Sequence, residues 1–201
     1  MAMHLVLRAS VDVNKRWLQK WSPADCCPAV QDNKGRTVAM YLARYASTEV
    51  QKRWLEKWSP ADCCPAVQDN EGWTVAMYLA HHADVEVQQL WLEKWSPADC
   101  CYSLQDKSGC TVAMSLASHA SLPVVRLWLQ TWSPAECCPH LQDSHGRTVA
   151  MHLLRGAPLE IVLRWARKGG GGGGGGDWCP ELVDNRGNTI DTILQAPRRF
   201  L

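Results

Sequence analysis

The residues in this chain best equipped for chemistry are its cysteines. There are ten in 201 residues, and eight of them form four adjacent pairs: Cys26-Cys27, Cys63-Cys64, Cys100-Cys101 and Cys137-Cys138. Each pair closes a WSPADCC or WSPAECC string. Thiols in such numbers suggest a metal ladder, a set of disulfides or a redox site. A structural zinc site needs four ligands converging at about 2.3 Å, and two adjacent cysteines rarely point at one ion. The ligands missing from each pair would have to come from the next pair along. Equivalent points on packed helices lie about 8–10 Å apart, too far to share an ion and beyond the ~7 Å Cα limit of a disulfide. No C-x-x-C string occurs, and no histidine recurs beside the pairs. The pairs therefore read as architecture, one cysteine of each filling a small buried gap. The alternative is a thiol- or metal-responsive protein that uses them.

Other chemical signatures are missing. The run Gly169 to Gly176 contains no G-K-[ST], so it is not a phosphate-binding loop and reads as a flexible insert. His81, His82 and His119 match no metal-ligand spacing, Cys110 has no local partner as a nucleophile, and no acid pair for hydrolysis stands out. The sequence thus predicts a protein that is not an enzyme and carries no cofactor. A formal charge of +1 without a polybasic stretch argues against a nucleic-acid surface. No segment approaches the ~20 apolar residues of a membrane span, and the first residues do not fit a secretory signal. The expected setting is cytoplasmic and reducing, where the thiols stay free.

The elements that position these residues come from an internal repeat. DNKGRTVAMYLA at Asp32 returns as DNEGWTVAMYLA at Asp69, DKSGCTVAMSLA at Asp106, DSHGRTVAMHLL at Asp143 and DNRGNTIDTILQ at Asp184. Residues 1–31 are the same unit entered late. The remaining units are 32–68, 69–105, 106–142, 143–183 (which includes the glycine run 169–176) and a C-terminal cap at 184–201. They are expected to make one all-α solenoid of about five stacked helix-turn-helix repeats and a terminal half-repeat.

Within a unit, Asp32 and Gly35 occupy the first and fourth positions preferred in a type I turn. Thr37 is placed to cap a short helix rich in small residues. A second helix from about Thr48 to Trp58 carries Val50, Trp54, Leu55 and Trp58 on one face. Ser59-Pro60-Ala61-Asp62 then has the order of an N-cap, a first-turn proline and an acid three residues on, which predicts a brief helical turn that Pro65 stops. Trp17, Trp54, Trp91, Trp128 and Trp165 recur at one helix position, and Trp21, Trp58, Trp95 and Trp132 four residues later, as a stacked core ladder would require.

The pattern D-x-x-G-x-T-x-x-x-x-L-A followed by a second helix resembles the ankyrin repeat across essentially the whole chain. Asp32, Gly35, Thr37 and Leu42-Ala43 carry it, with their counterparts one repeat on. The sequence departs from that family where Val38 and Met40 stand in place of its proline and histidine, and where WSPADCC replaces its glycine after the second helix. The resemblance implies a concave groove, built from the turn tips and the first-helix face, that binds a partner protein.

Differences between the repeats gather on those same positions. Arg36, Tyr41, Arg44, Tyr45, Trp73, Tyr78, His81, His82, His119, Arg147 and His152 are the candidate partner contacts, because Tyr, Trp, Arg and His suit interfaces. Trp73 stands out as a tryptophan in a turn expected to be exposed. The partner would be another protein, with neither nucleic acid nor membrane involved. Polar Asp191 and Thr192 with Arg198-Arg199 suit a C-terminal cap. At the other end Met3, Leu5, Val6 and Leu7 offer no polar face, so either further residues precede them or the N-terminal repeat self-associates. A third reading is a structural spacer from a longer array.

Overall fold

The structure is a computed structural model that describes residues 10–20, 22–23, 29–168 and 179–195. The expected N-terminal apolar face, the first cysteine pair, the glycine run and Arg198-Arg199 lie outside those residues. Among the described residues there are ten α-helices and no strand. Helix α1 spans Val11–Lys20, α2 Val38–Tyr45, α3 Thr48–Lys57, α4 Val75–His82 and α5 Val85–Lys94. Then come α6 Val112–His119, α7 Leu122–Thr131, α8 Val149–Gly156, α9 Leu159–Lys168 and α10 Ile190–Gln195. The short helices α2, α4, α6, α8 and α10 pack in one row, and the longer α1, α3, α5, α7 and α9 in another. This is the helical-pair solenoid that the repeat predicts.

The short helices Val38–Tyr45, Val75–His82, Val112–His119 and Val149–Gly156 each start where a threonine cap stands. The Thr37 side chain accepts from the Met40 backbone N–H at 3.3 Å, and the Met40 sulfur accepts from the Thr37 N–H at 3.4 Å. A thioether thus closes a reciprocal capping box of the kind usually made with Glu or Gln. The alanines opening the short helices, Ala39, Ala76, Ala113 and Ala150, are fully buried, which lets one row approach the next closely. At the end of α2, the buried Gln51 amide of α3 donates to Leu42 O at 3.1 Å and Ala43 O at 2.7 Å. Gln88 serves α4 in the same way. The leucine carbonyls already accept from the C-cap N–H groups of Ala46 and Ala83, whereas those of Ala43 and Ala80 would otherwise be orphans of a helix C-terminus.

The core is the tryptophan ladder. Trp54, Trp91, Trp128 and Trp165 are buried, and so are Trp58, Trp95 and Trp132. Rings meet across repeats: Trp17 lies 6.3 Å from Trp58, and Trp128 6.5 Å from Trp165.

The turn tips form a second ladder. Asn70 N donates to Lys34 O, Lys107 N to Glu71 O, Ser144 N to Ser108 O and Asn185 N to His145 O, at 2.7–3.0 Å. A side-chain ladder runs beside it. Gln68 Nε2 donates to Gly72 O in its own turn and to Gln105 O of the next repeat, and Gln31, Gln105 and Gln142 repeat the arrangement. The turn glycine makes this close approach feasible. At Gly72, φ is +82° and a Cβ would sit 2.8 Å from the Asp106 Cα. Gly187 has φ +80° but no neighbour within 4 Å.

That contrast separates two costs. Gly187→Ala should lose about 1 kcal/mol, from the left-handed backbone alone. Gly72→Ala adds a backbone collision and should lose about 2–3 kcal/mol. Urea unfolding of the two full-length variants tests this, and equal losses would contradict the close approach.

Candidate functional site

The chemistry-bearing residues fall into two groups, at opposite ends of the repeat unit. In the first, Ser59 and Asp62 form the expected reciprocal box. The Asp62 carboxylate accepts from Ser59 N at 2.9 Å and Oγ at 2.6 Å, and Asp62 N donates back to Ser59 Oγ at 3.4 Å. One 3-10 turn follows, Ala61–Cys63, with counterparts at Ala98–Cys100 and Ala135–Cys137. The turn ends because Cys64 takes the left-handed conformation at φ +48°, and Cys101, Cys138 and Cys179 do the same. Pro65 is therefore not the stop: Tyr102 follows Cys101 in the same geometry.

The two cysteines of a pair differ. Cys63 and Cys100 are almost fully buried where Cys64 and Cys101 are half-buried, whereas Cys137 and Cys138 are both buried. Burial pushes the Cys63 thiol far up, the Asp62 charge adds to the rise, and the indole N–H of Trp54 opposes it. Cys100 has the same causes, with Asp99 and Trp91 in those roles. No partner meets ordinary hydrogen-bond geometry at the indole nitrogens of Trp54 and Trp91; the soft sulfur is the acceptor that faces them. The buried cysteine thus packs against the ladder and softens the desolvation of an indole N–H. Among the described residues, all cysteines are free thiols, and no group of three His, Cys, Asp or Glu side chains could hold a metal.

The second group lies along the turn tips and the short-helix row. Every turn aspartate is an anchor. Asp69 Oδ1 accepts from Glu71 N and Trp73 N at 2.9 Å, and the same pair of bonds recurs at Asp32, Asp106, Asp143 and Asp184. The other oxygen usually takes a donor from the following short helix. Tyr41 Oη donates to Asp32 at 2.7 Å, Tyr78 Oη to Asp69 at 2.6 Å, and His152 Nε2 lies 2.9 Å from Asp143. In the last repeat Asn188 Nδ2 reaches Asp184 from its own turn.

These bonds revise two candidate contacts. Tyr41 and Tyr78 are buried, with their hydroxyls committed to the turn, so they are props beneath the surface rather than contacts on it. Burial and the Asp69 hydrogen bond push the Tyr78 phenol up to about 12. Trp73 is not the exposed ring expected of its turn. It is half-buried, with centroids 5.1 Å from Tyr78, 5.3 Å from His81 and 5.9 Å from His82.

The remaining candidates form one patch and an outlier. His81 and His82 are 4.6 Å apart, and His81 stacks across the repeat on His119 at 4.0 Å. The Arg44 guanidinium lies over Tyr45 at 5.1 Å and Tyr78 at 5.7 Å, so Arg44, Tyr45, Trp73, His81, His82 and His119 make a continuous aromatic and basic strip over three repeats. Arg36 sits at its edge, 3.7 Å from Asp69. His152 is tied to Asp143 and, through Nδ1, to Ser118 Oγ at 2.9 Å. Arg147 lies apart from the strip, in the turn position that Arg36, Trp73 and Cys110 hold elsewhere, and Cys110 beside it is raised to about 11 by burial and by Asp106 and Asp143. Sequence reasoning overlooked the glutamine ladder, although Gln31, Gln68, Gln105 and Gln142 recur immediately before the turn aspartate.

Solved structures of low sequence identity share this architecture. The ankyrin repeat protein EF0377 superposes with a TM-score of 0.63 at 14% identity, over 96% of this chain and 89% of its own. A chain from the structure of the predatory endopeptidase Bd0816 of Bdellovibrio bacteriovorus in complex with the immunity protein Bd3460 gives 0.61 at 16% identity, over 97% and 91%. The ankyrin repeat domain of Bcl-3 gives 0.58 at 19% identity, over 96% and 76%. The chain has the ankyrin-repeat fold. No family model matches it, and neither does any curated protein. The chain builds this fold from 37-residue units with a Val38-Ala39-Met40 helix start and a WSPADCC bracket. Among the described residues no helix is long and apolar enough to cross a membrane.

Two outcomes follow. Brief alkylation of the native protein, mapped by mass spectrometry, should modify Cys64 and Cys101 while Cys63, Cys100 and Cys137 react only in denaturant. Equal labelling within the pair Cys63-Cys64 or Cys100-Cys101 would contradict the packing. The second concerns pH. Burial, the neighbouring His81 and Arg44 charges and His119 lower the His82 imidazole to about 4, and burial likewise lowers His81. A depressed histidine takes up its proton in the unfolded chain first, so stability falls as pH drops from about 6.5 towards 4. Because His82 is exposed, solvent screening trims the effect. The melting temperature should decline over that window, and His82→Gln should flatten the decline.

Proposed function

We propose that the chain is a non-catalytic scaffold that binds a protein partner along the strip formed by Arg44, Tyr45, Trp73, His81, His82 and His119, with Arg36 at its edge. One observation carries the reading. The scaffold residues are nearly identical from repeat to repeat, whereas the strip residues differ from repeat to repeat and yet touch one another across three repeats. Stacked repeats create extended concave surfaces suited to binding, and half-buried aromatics beside arginine are the residue types that dominate interface energies. The ankyrin-repeat fold is commonly a protein-interaction scaffold, which supports the same conclusion. Arg147 and His152, in the fourth turn and the helix behind it, are further candidate contacts outside the strip.

The setting proposed is intracellular and reducing, in keeping with the free, buried thiols of the bracket. The units 32–68, 69–105 and 106–142 act together as the binding body, with 143–183 and 184–201 closing the stack.

A peptide array probed with the purified chain supplies a ligand for the test. Trp73→Ala and Arg44→Glu should each weaken that ligand tenfold or more, as expected of central anchor residues. Arg53→Ala and Glu56→Ala, exposed on the opposite row of helices, should not. Loss of binding in all four variants, or in none, would overturn the assignment of the face.

A further inference from the structure

The third repeat breaks the anchoring rule of the others. Asp106 holds its turn as they do, with Oδ1 accepting from Ser108 N and Cys110 N at 2.8 Å. Where Tyr41, Tyr78 and His152 send a donor to the second carboxylate oxygen, this repeat has Ser115, whose side chain is too short to reach. Among the described residues no donor fills Asp106 Oδ2. The same half-buried aspartate lines an open hollow of about 250 Å³ between the second and third turns, with Trp73 and Tyr78 as its aromatic wall.

Charge sorts the guests this hollow can take. Arg36 and Arg44 line it, along with Lys107, so a cationic side chain is repelled. Glu71 and Asp106 line it too, which disfavours an anion. Much of that charge is already paired: Lys107 lies 3.6 Å from Glu71, and Arg36 lies 3.7 Å from Asp69. What remains open is a carboxylate oxygen that wants a neutral donor, an aromatic wall, and the Arg44 guanidinium already lying over two tyrosine rings. The volume is below that of pockets for drug-sized ligands, roughly 300–1,000 Å³, and suits a single side chain. Two of the three side chains that reach a turn aspartate from the helix behind it are phenols, Tyr41 on Asp32 and Tyr78 on Asp69, the third being the His152 imidazole on Asp143.

We infer that the hollow at Asp106 and Trp73 takes a tyrosine side chain from the partner, its hydroxyl donating to Asp106 in place of the one this repeat lacks. The inference rests on the proposed binding face and names the chemistry of its central anchor.

N-acetyl-tyrosinamide, its phenylalanine analogue and N-acetyl-argininamide serve as probes, titrated against the full chain and followed by the tryptophan indole NMR signals. The tyrosine probe should shift the Trp73 indole signal with a dissociation constant on the order of millimolar. The phenylalanine and arginine probes should bind at least about tenfold more weakly, because a hydrogen bond to a charged acceptor is lost or a cation is repelled. Two variants keep the turn intact. Asp106→Asn retains an oxygen for the Ser108 and Cys110 N–H groups, and Ser115→Tyr supplies the phenol from within. Both should cut the tyrosine response at least about tenfold, while Ser115→Tyr also raises the melting temperature. Equal binding of the tyrosine and phenylalanine probes, preference for arginine, or an unchanged response in Ser115→Tyr would each overturn the inference. If that happens while Trp73→Ala still weakens the array-derived ligand, the binding face stands and only its tyrosine anchor falls.

Discussion

A single carboxylate in each turn carries more than its own loop. One oxygen of Asp69 closes the turn onto two backbone N–H groups, and the other takes the Tyr78 hydroxyl from the helix behind it. Turn and helix are thereby fixed to each other before neighbouring repeats are considered. With the loop shape set, the Gly72 carbonyl is presented to Gln68, and the Glu71 carbonyl to Lys107 N of the next repeat. The glycine must lack a side chain because the following turn passes within contact of where one would be. Local loop geometry and the spacing of the stack are thus one constraint in the four turns that meet a following turn, while at Gly187 the left-handed backbone alone asks for glycine.

The other end of the repeat meets a different requirement. In the units 32–68, 69–105 and 106–142 two tryptophans fill the space between the longer helices and bury indole N–H groups that find no ordinary acceptor. Leaving such donors unpaired in the core costs free energy. Cys63 and Cys100, each opening its pair, sit against this ladder as small, polarisable neighbours, their thiols held protonated by burial. The second cysteine ends the bracket in a backbone conformation that normally favours glycine. The pair is best understood as one packing residue and one turn residue that happen to share a side-chain type.

With both ends fixed by repeated residues, much of the variation between repeats falls on what they leave uncovered. That surface is neither uniformly polar nor uniformly apolar. Arg44, Trp73 and the three histidines touch across repeat boundaries, so a change at one position alters the environment of the next. The departure at Ser115 leaves Asp106 without the second donor that Tyr78 gives Asp69, beside the hollow that Trp73 lines.

The sequence by itself determined the repeat length, the two helices per unit, the Asp–Gly turn, the Thr37 cap, the Ser59–Asp62 box and the tryptophan ladder. These depend on neighbours a few residues away or on strict recurrence every 37 residues, and both are written along the chain. Only the tertiary structure decided the fates of Tyr41, Tyr78 and Trp73. Whether an aromatic ring faces solvent or a turn carboxylate nine residues back depends on how the helix rolls against its neighbours, which spacing does not encode. The glutamine ladder also required the stack, because each amide bridges its own turn and a carbonyl one repeat away. So did the open oxygen of Asp106: a serine for tyrosine exchange reads as surface drift until the turn it no longer reaches is seen beside it.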